Sequence, residues 1–422
     1  MIQLRHVAAA LAAGSLAAAA EPARDLSFVA YPASPEALVA EFPTVEANGA
    51  AKELEKLAAS LGIDLAPRSI EGRVRPAPEA KNAYGAVRSE LEAYVVGELE
   101  EPALGVPRIP PLSVDRYLDA HRETLDAVRE LLTRGPHPRW DRNLEKAAGG
   151  VLPNLLGHIC LHKLLIADAL AMEAGGNHRA ALASLDASWA LNTALRDEPE
   201  TITQLIAVSV ARLEAGALRR IPGAGDEWSK RLRDHDYRRT LLRGMALEGF
   251  RWTRISTPPG EQPGGWMGKI AQAAGKPYAR LCLDETAERW KDYLESLART
   301  DSLCVADLPA MERVFRDSAP WWNLASDKVA PGSASGLERV ARLELDVEMT
   351  SRILEIEAVR AKTGAWPRAL PRGEDSSACP GTSFVYEIEE DGTMLLALDR
   401  EPRWSFVPSG TLVLPTRYVR SP

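Results

Sequence analysis

Hydrophobic residues recur at helical spacing along most of the chain, and the longest such stretch covers residues 151–221. Its pattern predicts three helices, separated by the breaks Gly-Gly-Asn and Asp-Glu-Pro. The first of them is apolar almost all round, which is typical of a helix buried on every side. The third begins with Thr201 and Gln204 at the spacing of a capping box. We therefore predict that this stretch is the packing centre of a helical protein.

The same periodicity continues on both sides and predicts a helical domain over residues 46–320. Before it, residues 21–45 are dotted with proline and are predicted to form an extended arm. After it, Ser335 and Glu338 have capping-box spacing and predict a long helix, Leu337–Thr363, closed by Gly364.

The chain then changes from helical to strand-like alternation over the sequence FVYEIEE-DG-TMLLALD. Asp391-Gly392 between two such runs is a strong hairpin signal, and a two-residue turn would pair Ile388 with Leu395. TLVLPTRYV near the end can add a strand. The predicted fold is mainly α, an irregular array of helical hairpins followed by a small α+β unit over residues 335–420.

The first residues, MIQLRHVAAALAAGSLAAAAEPAR, have the three parts of a secretory signal. Arg5 precedes an apolar run, and Ala18 and Ala20 supply a cleavage site. We predict a signal peptide over residues 1–20 and export to the periplasm or beyond. An uncleaved anchor in the inner membrane is the alternative, and no later stretch is expected to span a bilayer.

The composition is that of a soluble globular chain, with 422 residues, 26% charged residues and a net charge of −8. A dedicated nucleic-acid-binding protein would show a basic footprint instead, so nucleic acid is not an expected partner.

The sequence AMEAGGNHRAALASLDASWALNTALRDEP resembles one tetratricopeptide repeat, with small residues at a helix end, a Gly-Asn turn and a closing proline. No second copy follows at that period, and the Trp and Leu-Gly positions of the family's first helix are absent. The resemblance implies helical hairpins used for scaffolding or peptide binding.

The run Thr363-Gly364-Ala365-Trp366-Pro367, followed by a Phe-x-Tyr hairpin, resembles the C-terminal unit of many exported bacterial proteins of unknown function. It is also similar to the part of type II pseudopilins that follows the long helix. This resemblance implies an extracytoplasmic fold and no catalytic activity. The apolar N-terminus is not continuous with this helix, so pilus assembly is not implied.

His158 and His162 are one helical turn apart and could bind a metal, with zinc as the ion. Zinc proteases of the H-E-x-x-H type need glutamate after the first histidine, and Ile159 stands there instead. A third ligand could be Glu214, His178 or His121. The other interpretation is a pair of histidines at the core edge with hydrogen-bond partners.

The sequence contains no G-x-S-x-G, S-x-x-K, Walker A or strand-linked G-x-G-x-x-G motif. This lowers the expectation for the enzyme classes that use them. A ligand groove could be lined by aromatic and amide side chains, for which the candidates are Trp189, Asn192, Trp266, Trp321 and Trp322. Core packing of these residues is the alternative.

Four cysteines allow three pairings in an exported chain. Cys282 with Cys304 is the first pair to consider, and burial of all four as small apolar residues is the alternative. The prediction from the whole sequence is an exported, non-enzymatic binding or scaffold protein without a cofactor, whose partner is a protein or peptide of the bacterial envelope. The alternative is a metal-binding protein or metal-dependent hydrolase that uses His158 and His162.

Overall fold

The computed structural model describes residues 25–67, 70–101, 103–144, 152–255, 266–323, 333–402, 404 and 416–420. The helices in these ranges are α1 (Pro35–Glu41), α2 (Gly49–Ser60), α3 (Pro78–Glu100), α4 (Leu112–Ala120), α5 (Arg122–Arg134), α6 (Leu155–Ala174), α7 (His178–Arg196), α8 (Thr201–Arg220), α9 (Gly225–Arg233), α10 (Tyr237–Phe250), α11 (Trp266–Arg299), α12 (Leu308–Asp317) and α13 (Ala334–Thr363). The strands are β1 (Ala103–Leu104), β2 (Phe384–Ile388), β3 (Met394–Leu398) and β4 (Arg417–Arg420). The predicted mainly α fold with a small C-terminal α+β unit is confirmed. The predicted signal peptide, residues 1–20, lies outside the described residues.

Helix α6 lies at the centre of the helical body, where α3, α7 and α8 pack against it. Leu161, Leu164, Leu165 and Ile166 on this helix are fully buried. Burying one such side chain stabilises the fold by about 1.5–3 kcal/mol. The all-round apolar pattern therefore reflects contact with neighbours on several sides.

Helices α6 and α8 are also long and apolar enough to cross a membrane by length and composition, which corrects the expectation that no later stretch has this property. Their most apolar windows are, however, 61% and 72% buried inside the protein. Core helices of soluble proteins pass the same test, so this composition is weak evidence for a span.

The turn before α7 follows its sequence signal, whereas the turn between α7 and α8 does not. Asn177 caps α7 by accepting a hydrogen bond from the Ala180 N–H. The capping box predicted at Thr201 is wrong, because the side chain of Gln204 turns back to the end of α7. There its Nε2 donates to the Arg196 carbonyl at 3.0 Å. One amide thus satisfies a free carbonyl of α7 and fixes the α7–α8 turn.

Residues 25–45 do not form the predicted extended arm. They contain α1, whose first turn is capped by Ser34, and they bury Val29 and Leu38. Arg243 on α10 donates to the Ala30 carbonyl at 2.7 Å. The segment is therefore packed against the helical body rather than extended away from it.

The four strands form one sheet in the order β1-β4-β3-β2, with β1 parallel to β4 and the other pairs antiparallel. The hairpin register differs from the prediction by one residue, since Ile388 pairs with Met394. The Glu389 N–H donates to the Thr393 carbonyl at 2.8 Å, so the loop between these two residues has three residues. It ends at Gly392, whose φ of +83° suits the glycine position of such loops. Because side chains alternate between faces, the shift buries Met394 and Leu396 instead of Leu395 and Ala397.

Helix α13 confirms the predicted long helix and ends at Gly364 with φ +75°. The Ser335–Glu338 capping box is wrong, because the helix already begins at Ala334. Glu338 pairs with Arg342 at 2.6 Å instead.

Cys304 and Cys379 form a disulfide, so the suggested Cys282–Cys304 pair is wrong. Cys282 is buried and free, as is Cys160. Ser302 donates to the Ala378 carbonyl at 2.7 Å and brings the two loops of the disulfide together. The pairing depends on this contact between segments 75 residues apart in sequence.

Two helical glycines provide a test of the packing at the start of α6. A Cβ added at Gly157 would lie 1.9 Å from the Asp64 carbonyl oxygen, whereas one added at Gly85 would meet nothing within 4 Å. We expect Gly157→Ala to lower the free energy of unfolding by about 1–3 kcal/mol. Gly85→Ala should raise it by about 0.5–1 kcal/mol through helix propensity. Urea unfolding followed by circular dichroism measures both, and changes of the same sign would contradict the packing described.

Candidate functional site

The two histidines predicted as metal ligands lie on α6 inside the helical body, and both are completely buried. The Nδ1 atom of His162 lies 2.9 Å from Ser188 Oγ on α7. Ser188 in turn donates to Glu214 Oε1 on α8 at 2.8 Å. Asn192 Nδ2 lies 3.3 Å from the other oxygen of Glu214. These four residues form a hydrogen-bonded network that joins three helices, and His158 is buried one turn before His162 on α6. The five residues together are called the buried polar network.

The hydrogen bonds indicate the proton positions while Glu214 is ionised. Ser188 gives its only hydroxyl proton to Glu214, so His162 carries its proton on Nδ1 and donates to Ser188. Among the described residues, His162 Nε2 and both ring nitrogens of His158 find no hydrogen-bond partner. The ring of His158 instead packs edge-on to Trp140, with ring centroids 4.5 Å apart. The interpretation of core-edge histidines with partners is therefore corrected for His158.

Burial determines the charge states in the buried polar network. It lowers the pKa of His158 to about 3. Burial also holds the pKa of His162 well below its ordinary value, and repulsion from His158 and Arg196 acts in the same direction. Burial raises the pKa of Glu214 to about 7, against the opposing effects of Arg196, Ser188 and Asn192. The imidazoles are consequently neutral at physiological pH, while the carboxyl group titrates near neutrality.

Serine, histidine and glutamate also occur in hydrolase triads, but the order here is different. In a triad the histidine lies between the nucleophile and the carboxylate, whereas Ser188 lies between His162 and Glu214. All three side chains are fully buried, so a substrate has no access to them in this conformation. The arrangement suits a packing role that connects α6, α7 and α8.

The three residues considered as a third metal ligand lie in different surroundings. Glu214 reaches His162 only through Ser188. His178 pairs with Glu173 at 2.9 Å, and His121 stacks on Tyr117. Within the described ranges, no group of three His, Cys, Asp or Glu side chains is arranged to hold a metal ion. The described residues thus supply no third ligand beside His158 and His162, which a zinc site would need.

The residues predicted for a ligand groove are distributed over separate parts of the structure. Trp189 packs edge-on to Trp228 and lies under the guanidinium of Arg196 at 4.0 Å. Asn192, three residues further along α7, belongs to the buried polar network.

The other three tryptophans lie elsewhere. Trp321 is 91% exposed beyond the end of α12. Trp322 is half-buried, and its carbonyl accepts a hydrogen bond from the Tyr278 hydroxyl. Trp266 begins α11, and its side chain lies outside the described part of the chain. The four predicted groove residues whose side chains are described, Trp189, Asn192, Trp321 and Trp322, do not line either of the two pockets described next.

One pocket of about 560 Å³, here called the α13 pocket, opens beside the last turns of α13. The turn after α8, the segment after α13 and the end of β4 complete its walls. The lining residues are Pro222, Gly223, Gly225, Leu354, Glu357, Ala358, Arg360, Ala361, Lys362, Gly364, Trp366 and Arg420. A second pocket of about 540 Å³ lies between residues 30–35 and α11, with Phe250, Arg280 and Lys291 in its lining.

The α13 pocket combines apolar walls with fixed charges. Arg420 pairs with Glu357 at 2.5 Å. Burial raises the pKa of Glu357, while Arg420 opposes that effect. The guanidinium of Arg360 lies 4.0 Å above the ring of Trp366, and the Trp366 N–H donates to the Gly392 carbonyl at 3.0 Å.

Sequence reasoning missed the α13 pocket. The only local signal was two cations in the last turn of α13 near Trp366. The opposite walls come from Pro222 and Arg420, which are distant in sequence. No family model, curated protein or solved structure matches this chain, so its function has to be argued from this geometry.

The buried polar network predicts a measurable dependence of the free energy of unfolding on pH. Because the pKa of His158 falls from 6.5 to about 3 on folding, the unfolded chain is protonated first as the pH falls. Stability from this group is therefore present above pH 6.5 and is lost between about pH 6.5 and 3, with a slope of about 1.4 kcal/mol per pH unit. We expect His158→Phe to gain stability relative to the native protein as the pH is lowered from 7 to 4.

Glu214 should behave in the opposite way. Its pKa rises from 4.5 to about 7 on folding, so its contribution is present below pH 4.5 and is lost as the pH rises through 7. Glu214→Gln cannot ionise and should gain stability relative to the native protein between pH 5 and 8. Urea unfolding from pH 4 to 8 measures both differences. If the difference in free energy of unfolding between variant and native protein does not change with pH, these groups are not buried as described.

Proposed function

We propose that this chain is an exported, non-enzymatic binding protein of the bacterial envelope, and that its α13 pocket binds a short segment of a peptide or protein partner. The observation that carries the proposal is the contrast between two sites. The α13 pocket is open and has a volume in the range of about 300–1,000 Å³ common for ligand sites. The titratable groups of the buried polar network are sealed from solvent.

The sequence supports the binding role independently of the pocket. The segment that resembles a tetratricopeptide repeat covers the last turn of α6, the turn that follows it and all of α7. The C-terminal unit resembles that of exported bacterial proteins. The first resemblance implies scaffolding or peptide binding, and the second implies an extracytoplasmic fold without catalytic activity.

Two features support export. The first 20 residues have the pattern of a cleaved secretory signal. The Cys304–Cys379 disulfide suits an oxidising compartment, because thiols are kept reduced in the cytosol. The alternative of a metal-dependent protein has less support, because His158 and His162 lack a third ligand among the described residues.

Blocking the α13 pocket tests the binding role. Ala361 lines this pocket, whereas Ala365 is exposed nearby and does not line it. Peptides selected from a random library for binding to the native protein should lose at least about tenfold in affinity for Ala361→Trp, which is about 1.4 kcal/mol. The matched control Ala365→Trp should bind them normally. Selected peptides that bind both variants equally would place binding elsewhere and defeat the proposal.

The number of reactive thiols tests whether the chain is exported to an oxidising compartment. Protein recovered from cells should expose two reactive thiols after denaturation, from Cys160 and Cys282, and four after reduction. A polymer-linked maleimide resolves these states as gel shifts when cells are quenched with acid before lysis. Deleting residues 2–20 should retain the chain in the cytosol and leave all four thiols reactive. Four reactive thiols in the full-length protein would contradict export.

A further inference from the structure

The charges in the α13 pocket are not balanced. Glu357 is the one acidic residue among the described side chains of its lining and is already paired with Arg420. Arg360 and Lys362 also line the pocket. Arg360 acts on Glu357 electrostatically, but neither cation forms an ion pair with a carboxylate among the described residues. On a chain with a net charge of −8, this site therefore offers two cations to a ligand.

Arg360 is held in a geometry that suits recognition of a carboxylate. Its guanidinium stacks on Trp366, whose own N–H is fixed to the Gly392 carbonyl. An aromatic ring on one face of a guanidinium is compatible with a bidentate contact between its N–H groups and a carboxylate. Because the ring is already oriented, less side-chain entropy is lost when a ligand binds.

Apolar side chains adjoin these cations. Leu354, Ala358 and Ala361 belong to the same helix as Arg360, and Pro222 contributes from the facing turn. A ligand that fits both features carries an apolar group next to a negative charge. In a peptide, that combination is an apolar side chain beside a carboxylate.

We infer that the α13 pocket recognises a peptide carboxylate next to an apolar side chain, with Arg360 and Lys362 as the carboxylate-binding residues. This inference rests on the proposed function, because it specifies the ligand of the same pocket. The carboxylate can belong to the chain terminus or to an acidic side chain. The two sources share one chemistry and are separated by experiment.

Both cations also lie in the last turn of α13, where they interact favourably with the negative end of the helix dipole. That interaction affects the stability of the helix. It does not favour a charged ligand over a neutral one, so ligand affinity separates the two roles.

Fluorescence anisotropy with labelled peptides provides the test. The probe is Gly-Ser-Gly-Leu-Leu with a free C-terminus, compared with the same peptide as its amide, an amide ending in Leu-Asp-Gly, and a free acid ending in Ser-Ser. We expect the free acid to bind about tenfold more tightly than its amide. The Ser-Ser acid should bind more weakly than the Leu-Leu acid because it lacks the apolar group.

Substitutions in the α13 pocket should change that preference in opposite directions. Arg360→Gln and Lys362→Gln should each remove most of the difference between acid and amide. Glu357→Gln should increase the difference in affinity between acid and amide, because Arg420 is then free to contact the ligand. The exposed Arg368 is outside the lining, so Arg368→Gln is the matched control and should leave the preference unchanged. Thermal unfolding of each variant confirms that it is folded.

The outcomes separate this inference from the proposed function. Equal affinities for acid and amide, with binding still lost in Ala361→Trp, would overturn carboxylate recognition and leave the pocket as a binding site. Tight binding of the Leu-Asp-Gly amide would support recognition of an acidic side chain, and weak binding would assign the chain terminus. Equal affinities for the Ser-Ser and Leu-Leu acids would overturn the apolar part. Loss of binding to every probe, together with a peptide library that yields no pocket-dependent ligand, would end both proposals.

Discussion

The enclosure of α6 is the constraint on which the rest of the structure depends. A helix buried on several sides must find partners for each polar group it carries, since an unpaired buried polar group costs about 1–3 kcal/mol. His162 meets this requirement through Ser188 and Glu214. Asp168 meets it through Arg122 at 2.5 Å and Ser184 at 2.6 Å. Side chains on α5, α7 and α8 are thereby positioned by α6. Among the described residues, the ring nitrogens of His158 and Nε2 of His162 remain without a hydrogen-bond partner.

Buried ion pairs connect the helices around α6 to α13 of the C-terminal unit. Arg220 at the end of α8 pairs with the buried Glu98 of α3 at 2.7 Å. Arg212, two turns earlier, pairs with Asp346 of α13 at 2.8 Å. Breaking such a pair leaves an uncompensated buried charge, so these contacts constrain how α8 and α13 meet. The turn at Pro222 and the end of α13, which form facing walls of the α13 pocket, are both held by this arrangement.

The structure thus divides its polar residues between two roles. In the centre, the titratable groups of the buried polar network are closed to solvent. At the end of α13, cations remain available beside apolar walls, where a ligand can reach them. Residue types alone would favour His158 and His162 as the functional site. Accessibility favours the α13 pocket, because binding requires a surface that solvent and ligand both reach.

The sequence by itself determined the features that depend on neighbours along the chain. Helical periodicity predicted α6, α7, α8 and α13, and Gly364 predicted where α13 ends. Local signals failed where a distant segment competed for the same group. Gln204 bonds to the end of α7 instead of capping α8, the β2–β3 register depends on which residues the core buries, and Cys379 lies beside Cys304 because a loop packs there. The α13 pocket was decided only by tertiary structure, since its walls come from segments that no periodicity or motif relates.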